Sequence, residues 1–169
     1  MMNPCWIITT GRLAMCPVGP ADLADLQALK ADPLVFAILL GGVRTPEQAA
    51  RELAEEMQFW AAHGVGIWSV RDARTQQFLG ITGFMKRPDG RGIALRFAFR
   101  MAIHGHGYAS EAAGAALRFA HTRAGLARVV AVARDSNIAS RTVLGGIGMV
   151  ECDRFTQQGH AMVMYESVA

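Results

Sequence analysis

A pair of glycines between a strand-like and a helix-like segment constrains this chain more than any other feature. Apolar residues before the pair fall on every second position, which is the period of a β-strand: Ile93, Leu95, Phe97, Phe99 and Met101. From Tyr108 onward, alanines and larger apolar residues recur at three- and four-residue steps, which is typical of a helix with one packed face. Gly105 and Gly107 therefore lie where a strand ends and a helix begins.

This junction is suited to binding an anion. The first backbone N–H groups of a helix have no partner within the helix, and the helix dipole places partial positive charge there. Glycine tolerates the left-handed backbone of an amide nest. The dinucleotide-binding fingerprint is incomplete, because Ser110 stands at its third glycine, and the chain has no Walker A motif. Pattern alone leaves two interpretations, a loop for a phosphate-bearing ligand or an ordinary tight turn.

Composition limits the class of protein. The chain has 169 residues, 51% of them hydrophobic and 18% charged, which predicts one globular domain over residues 1–169. A net charge of +3 is too small to favour a nucleic-acid partner. The sequence shows neither a bilayer-length apolar run nor a secretory signal, so we expect no membrane partner and a cytoplasmic location. Three scattered cysteines without ligand spacing predict reduced thiols and no metal site.

The order of elements predicts a mixed α/β fold with an antiparallel meander before the central helix. The periodicity predicts strands over residues 5–16, 66–71, 78–85, 93–101, 128–134, 149–156 and 160–168, and helices over residues 20–30, 45–63, 107–124 and 138–144. A further apolar piece at 34–40 is either a short helix lining a cleft or plain core.

The helix at 45–63 has clear signals at both ends. Thr45 and Gln48 form a capping-box pattern around Pro46, and Gly64 predicts its end. Its acids, Glu52, Glu55 and Glu56, are predicted to form a solvated face.

Several motifs together resemble the GNAT superfamily of acyl-CoA-dependent N-acyltransferases, in particular the branch that includes the ribosomal-protein alanine N-acetyltransferases. Residues 105–112 (GHGYASEA) match its Gly-x-Gly-Tyr-Ala-Thr-Glu-Ala. Its opening motif is similar to residues 10–13, and its second and third strands are similar to residues 66–70 and 78–83. Its Asn-x-x-Ser motif is similar to residues 137–140, and its Leu-Gly-Phe motif is similar to residues 147–149. The resemblance implies a single-domain GNAT fold: a central, mostly antiparallel twisted sheet with a splayed strand pair and flanking helices.

The resemblance also implies a site for acetyl-CoA as co-substrate. Backbone amides of the glycine loop would hold the pyrophosphate, and the pantetheine arm would lie between the strand ending near Met101 and the strand at 128–134. Splayed strands expose N–H and C=O groups that the amides of the arm can satisfy. The residues implied to bind the cofactor are Phe99, Met101, Gly105, His106, Gly107, Tyr108, Ala109 and Asn137.

The implied reaction is direct transfer of an acetyl group to a primary amine, with Ser140 and Asn137 as catalytic candidates. Ser140 would stabilise the leaving thiolate, or it is a hydroxyl in the first turn of a helix. Asn137 is a helix cap, a contact to the arm, or both. Many superfamily members carry a tyrosine acid where this chain has Leu144, and often a glutamate where it has Ala94. No general base is identified.

Other polar residues near the loop have alternative roles. As histidines, His104 and His106 are candidates for a general base. A role as loop residues or as contacts to an anion is the simpler interpretation. Glu111 in the first turn is more simply structural than catalytic.

The acceptor is a small-molecule amine or a protein N-terminus. Arg96, where the family often has glycine, and Arg100 suit an acceptor with a carboxylate if their strand face borders the site; a solvated face is the alternative. Residues 34–43 and 157–160 are predicted to form the walls. The sequence leaves the oligomeric state open; a homodimer is common in families of this kind. A non-catalytic acyl-CoA-binding module is the competing function, because the missing tyrosine and glutamate leave the chemistry open.

Overall fold

The computed structural model describes residues 2–39 and 41–169. Within these residues, eight strands form one sheet: β1 (Ile8–Thr9), β2 (Leu13–Pro17), β3 (Ile67–Asp72), β4 (Phe78–Lys86), β5 (Ile93–Phe99), β6 (Arg128–Arg134), β7 (Val150–Gln157) and β8 (His160–Val168). In the same part of the chain, five α-helices flank the sheet: α1 (Leu23–Ala31), α2 (Pro33–Phe36), α3 (Pro46–His63), α4 (Tyr108–Thr122) and α5 (Ile138–Gly146). The predicted mixed α/β architecture is confirmed.

The strands follow the order β1-β2-β3-β4-β5-β6-β8-β7. Every neighbouring pair is antiparallel except β5 and β6, which are parallel. This exception follows from the connection, since β5 and β6 are joined by α4 and a parallel pair requires such a crossover.

Helices pack on both faces of the sheet. Along β5, Leu95 and Phe99 join the core beside α4, whereas Ala98 joins a second core beside α1 and α2. The alternation is the pleat of a strand that is covered on both faces. On α4, buried alanines such as Ala112 and Ala116 carry no long side chain, which allows the helix to pack close to the strands.

Helix α3 begins and ends as the sequence predicts. Thr45 Oγ1 accepts from the Gln48 N–H at 3.1 Å, and the Thr45 N–H donates to Gln48 Oε1 at 2.9 Å. Gly64 ends the helix with a φ of +66°. The last turn buries Trp60, whose Nε1 donates to the Ile67 carbonyl at 2.7 Å, so the helix is tied to the start of β3.

Three predicted elements differ from the structure. The strand predicted over residues 5–16 is broken into a 3-10 turn, β1 and β2, because the chain folds back on itself so that Ile8 pairs with Met15. The strand predicted to run to residue 101 ends at Phe99, and Met101–Ile103 form a 3-10 turn. Within the apolar piece predicted at 34–40, only the part up to Phe36 is helical, and Leu40 lies outside the described residues.

Candidate active site

The glycine loop between β5 and α4 has the open backbone of an anion cradle. Gly105 and Gly107 adopt φ values of +84° and +79°, and no atom lies within 4 Å of the position of a Cβ at Gly105. The first hydrogen bond at the start of α4 is donated by the Glu111 N–H to the Gly107 carbonyl at 3.1 Å. The N–H groups at 107–110 therefore precede the first helical bond and are available to an anion. The loop fits a phosphate group.

Arg12 fastens this loop to the N-terminal strands. Its Nη1 donates to the His106 carbonyl at 2.9 Å, and its guanidinium lies 4.1 Å from the centroid of the Tyr108 ring. Glu111 accepts from Arg12 Nε at 2.7 Å and from the Thr10 hydroxyl at 2.5 Å. Burial alone would raise the pKa of Glu111, but the hydrogen bonds from Thr10 and Arg12 outweigh it and hold the pKa below its usual value. Two motifs that are far apart in the sequence thus form one structural unit.

Strands β5 and β6 separate directly after they meet. Among the described residues, the register between them pairs only Ala94 with Val130. On the other edge of β5, the Arg100 N–H donates to the Leu79 carbonyl at 2.9 Å. Successive residues of a strand direct their backbone N–H and C=O groups to opposite edges. Because those of Arg100 face β4, those of Phe97 and Phe99 face the gap. His104 Nε2 lies 2.8 Å from the Phe99 carbonyl oxygen, which leaves Phe97 as the open edge residue.

The two residues of this strand that the resemblance implies as cofactor contacts lie in different surroundings. Phe99 lies at the gap, whereas Met101 lies beyond the end of β5 and is 43% exposed. Phe97, which the resemblance does not single out as a contact, also lies at the gap. The strand period assigns it to the same edge as Phe99, but only the sheet register shows which edge is open.

A cavity of about 220 Å³ opens beside the gap between β5 and β6. It touches Leu95 and Phe97 on one strand and Ala131 and Ala133 on the other. Side chains of α1, α2, α3, α5 and the β7–β8 turn complete its wall, and the described part of the predicted wall at 34–43 contributes Phe36, Ile38 and Leu39.

Asn137 and Ser140 both line this cavity at the start of α5. Asn137 Oδ1 accepts from the Ser140 N–H at 3.2 Å and so caps the helix. The amide nitrogen of Asn137 and the hydroxyl of Ser140 make no hydrogen bond with other described residues, so both remain available to a ligand. Leu144, at the position of the family's tyrosine, is buried in the wall and supplies no acid.

The acids of α3 contradict the predicted solvated face. Glu56 is only 6% exposed and Glu52 is partly buried; Glu55 is exposed, and all three acids line the cavity. The register of α1 against α3 decides this, because the buried Lys30 of α1 lies between the two acids. Its Nζ donates to Glu56 Oε1 at 2.7 Å and to Glu52 Oε1 at 2.9 Å. Burial raises the pKa of Glu56, and this effect is larger than the opposite effect of the Lys30 ammonium.

The two arginines of β5 separate. Arg96 lines the cavity, whereas Arg100 is exposed at the end of the strand and donates to the Phe78 carbonyl at 3.3 Å. Loss of hydration among the surrounding groups lowers the pKa of Arg96, and the neighbouring Arg87 lowers it further. Of the two, only Arg96 is in a position to act on a ligand.

Known proteins share this architecture. The model of the acetyltransferase (GNAT) domain matches residues 12–150. The uncharacterized protein YkkB of Bacillus subtilis (strain 168) is 24% identical over 167 residues, which cover 98% of this chain and 97% of YkkB. The acetyltransferase of Agrobacterium tumefaciens str. C58 superposes with a TM-score of 0.86 at 21% identity, over 100% of this chain and 96% of that one.

A relative with a bound cofactor has the same fold. The ribosomal L7/L12 α-N-protein acetyltransferase RimL, solved in complex with coenzyme A, superposes with a TM-score of 0.80 at 15% identity, over 96% of this chain and 97% of that one. The match to the family model covers most of the chain and includes β5, the glycine loop, α4 and α5. The chain therefore belongs to the GNAT acetyltransferase family.

Proposed function

We propose that this protein is an acetyl-CoA-dependent N-acetyltransferase that transfers an acetyl group directly to a primary amine, and that residues 1–169 act as one catalytic domain. The separation of β5 from β6 beside a lined cavity carries the proposal. The glycine loop, the open strand edge and the cavity follow one another along β5, in the order that a phosphate, an amide-containing arm and a reacting group require.

The residues of each part have a defined task. The N–H groups of the loop from Gly105 to Ala109 hold the pyrophosphate, with His106 and Tyr108 kept in place by Arg12. The backbone of Phe97 and Phe99 and the amide of Asn137 hold the arm. Bound acetyl-CoA supplies an activated acyl group as a thioester.

Ser140 is placed to act on the leaving group. The amine nitrogen forms a bond to the acyl carbon, the carbon–sulfur bond breaks, and the sulfur leaves as a thiolate. The hydroxyl of Ser140 donates a hydrogen bond to that sulfur, which stabilises its developing charge. The amine loses one proton in the same reaction, and the departing thiolate takes it up, directly or through water, to give free CoA thiol.

Thermal unfolding with and without acetyl-CoA tests the binding site. At a hundredfold excess over Kd, binding adds about 2.7 kcal/mol to the free energy of unfolding, a rise of roughly 5–10 °C for a domain of this size. Gly107→Val abolishes the rise. Gly90→Val is the matched control, because Gly90 has a φ of +77° and is exposed but lies in the β4–β5 turn. No rise in the parent protein contradicts the proposal.

Release of free CoA thiol then tests catalysis. The enzyme releases thiol in the presence of an amine that it accepts. A protein that is stabilised by acetyl-CoA but releases no thiol with any primary amine is instead the non-catalytic acyl-CoA-binding module, an alternative favoured by the leucine at position 144.

A further inference from the structure

Several charged side chains of the cavity wall are paired with one another. Glu52 Oε2 accepts from Arg44 Nε at 2.8 Å, Glu52 Oε1 accepts from Lys30 Nζ at 2.9 Å, and Lys30 also binds Glu56. Two cations and two carboxylates therefore neutralise one another. Arg87, a further cation in the wall, is paired with Asp89 at 2.7 Å.

Arg96 has no acidic partner in the part of the chain that the structure describes. No carboxylate of the described chain lies within 4 Å of its guanidinium, whereas Arg44 and Arg87 in the same wall are paired; Arg134, which also lines the cavity, is likewise without a carboxylate within 4 Å among the described residues. Arg96 is exposed to the cavity and lies on the face of β5 that also carries Ala94 and Ala98. Both neighbours are small, so the guanidinium is not covered by the strand that carries it. A guanidinium in this position presents donors in a fork that matches a carboxylate.

One carboxyl oxygen of Glu56 has no hydrogen-bond donor within the described chain. Its Oε1 is bound by Lys30, but its Oε2 is buried and has no hydrogen-bond partner among the described residues. A buried oxygen without a donor is costly, and a small shift of the Glu56 side chain toward the cavity that it lines would allow a ligand to supply the donor. An ammonium group is such a donor.

We propose that the cavity accepts a small primary amine that also carries a carboxylate, with the carboxylate on Arg96 and the amine on Glu56 Oε2. This inference rests on the proposed acetyl transfer to an amine. The remaining wall is largely apolar and suits an aliphatic or aromatic side chain; it includes Phe36, Leu39, Ile81, Met85 and Met162. A cavity of about 220 Å³ has room for an acceptor of amino-acid size. Amino acids with apolar side chains are the class that this combination fits.

Matched amines test the proposal. Thiol release from acetyl-CoA is measured with phenylalanine and methionine, each beside its carboxamide, and with spermidine as a polycation. We expect kcat/KM for each acid to exceed that of its carboxamide by about 10-fold, because a carboxamide carries no charge to pair with the Arg96 guanidinium.

Two variants separate the roles of the charges. Arg96→Gln removes the preference for the acid, chiefly through KM, whereas Arg51→Gln, an exposed arginine on α3 outside the cavity, retains it. Glu56→Gln weakens the acid and the carboxamide alike, because both carry the same amine. Arg96→Lys keeps the charge without the fork and gives an intermediate preference, which provides a second variant if Arg96→Gln does not fold.

Several results overturn the inference without touching the proposed function. One such result is a kcat/KM for a carboxamide or for spermidine that equals that for the acids. Another is a folded Arg96→Gln protein with an unchanged preference for the acid over its carboxamide. If none of the probes is turned over, calorimetric titration of phenylalanine and methionine into the CoA complex decides. No binding at millimolar concentration overturns the proposed acceptor, whereas binding without thiol release supports the acceptor site and counts against acetyl transfer. Stabilisation by acetyl-CoA is measured separately throughout.

Discussion

Arg12 Nε donates to Glu111 Oε1 at 2.7 Å and so joins the N-terminal strands to the first turn of α4. The same guanidinium holds the His106 carbonyl and covers Tyr108. Glu111 therefore acts on the glycine loop through Arg12, and its carboxylate is occupied in doing so.

Replacing Glu111 by Gln tests this positioning role. The variant loses the ion pair with Arg12, so we expect Tm to fall by a few degrees and the stabilisation by acetyl-CoA to decrease. Differential scanning fluorimetry with and without acetyl-CoA measures both. Glu47→Gln is the control, because Glu47 is an exposed first-turn acid of α3. A variant that matches the parent protein in both measurements shows that the contact has no role.

The same carboxylate predicts a dependence of stability on pH. Because folding lowers the pKa of Glu111, its contribution is complete above the unfolded pKa of about 4.3 and is lost as the pH falls through the lower, folded value. Urea unfolding from neutral to acidic pH should show a gap between the parent protein and Glu111→Gln that closes in acid. A gap that widens in acid would reverse the sign of this coupling.

Removing the hydroxyl of Ser140 should impair chemistry and spare binding. We expect Ser140→Ala to lower kcat by about 100-fold, in the range for a lost acid, with KM for acetyl-CoA almost unchanged. Ser136→Ala is the control, because Ser136 is exposed in the preceding turn and does not line the cavity. Steady-state kinetics of both variants decide the matter. An unchanged kcat in Ser140→Ala would leave the residue as a simple first-turn serine.

Two substitutions separate the capping role of Asn137 from its proposed contact to acetyl-CoA. Asn137→Asp keeps the oxygen that caps α5 but loses the amide donor, so stability is retained while Kd for acetyl-CoA rises about 3- to 10-fold. Asn137→Ala also loses the cap, which costs about 1 kcal/mol of unfolding free energy. Chemical denaturation and calorimetry provide the two readouts. If Asn137→Asp binds acetyl-CoA normally, the residue is only a cap.

Lys30 holds the acidic wall of the cavity together. Its side chain is 4% exposed, so Lys30→Met leaves Glu56 as a buried carboxyl group without its cation. We expect a loss of about 3–5 kcal/mol in the free energy of unfolding, partly recovered in the double variant with Glu56→Gln. Lys86→Met, at the exposed end of β4, is the control. A loss no greater than that of the control would show that the pair is not stabilising.

Local features could be predicted well from the sequence. The bounds of α3 follow from Thr45, Gln48 and Gly64, because capping groups act within one turn of the helix. The glycine loop was predictable for the same reason, since a positive φ at Gly105 and Gly107 is a property of the residues themselves. The strand period identified Phe99 but overextended β5 to Met101, because an apolar side chain does not show where strand pairing ends.

The acceptor side of the site could not be predicted in this way. Glu56 has the local pattern of an exposed helical acid, and only Lys30, 26 positions earlier in the chain, makes its burial possible. Arg96 and Arg100 have the same spacing as any two residues on one face of a strand, but the cavity includes one and not the other.

The sequence by itself determined the strand–glycine–helix junction, the helix caps and the family, because these depend on local backbone preferences and on ordered motifs. The tertiary structure alone decided which strand edge is open and which charges meet in the cavity. The physical reason is that burial and ion pairing depend on groups that are distant in the chain, so the properties of Arg96 and Glu56 are set by their surroundings.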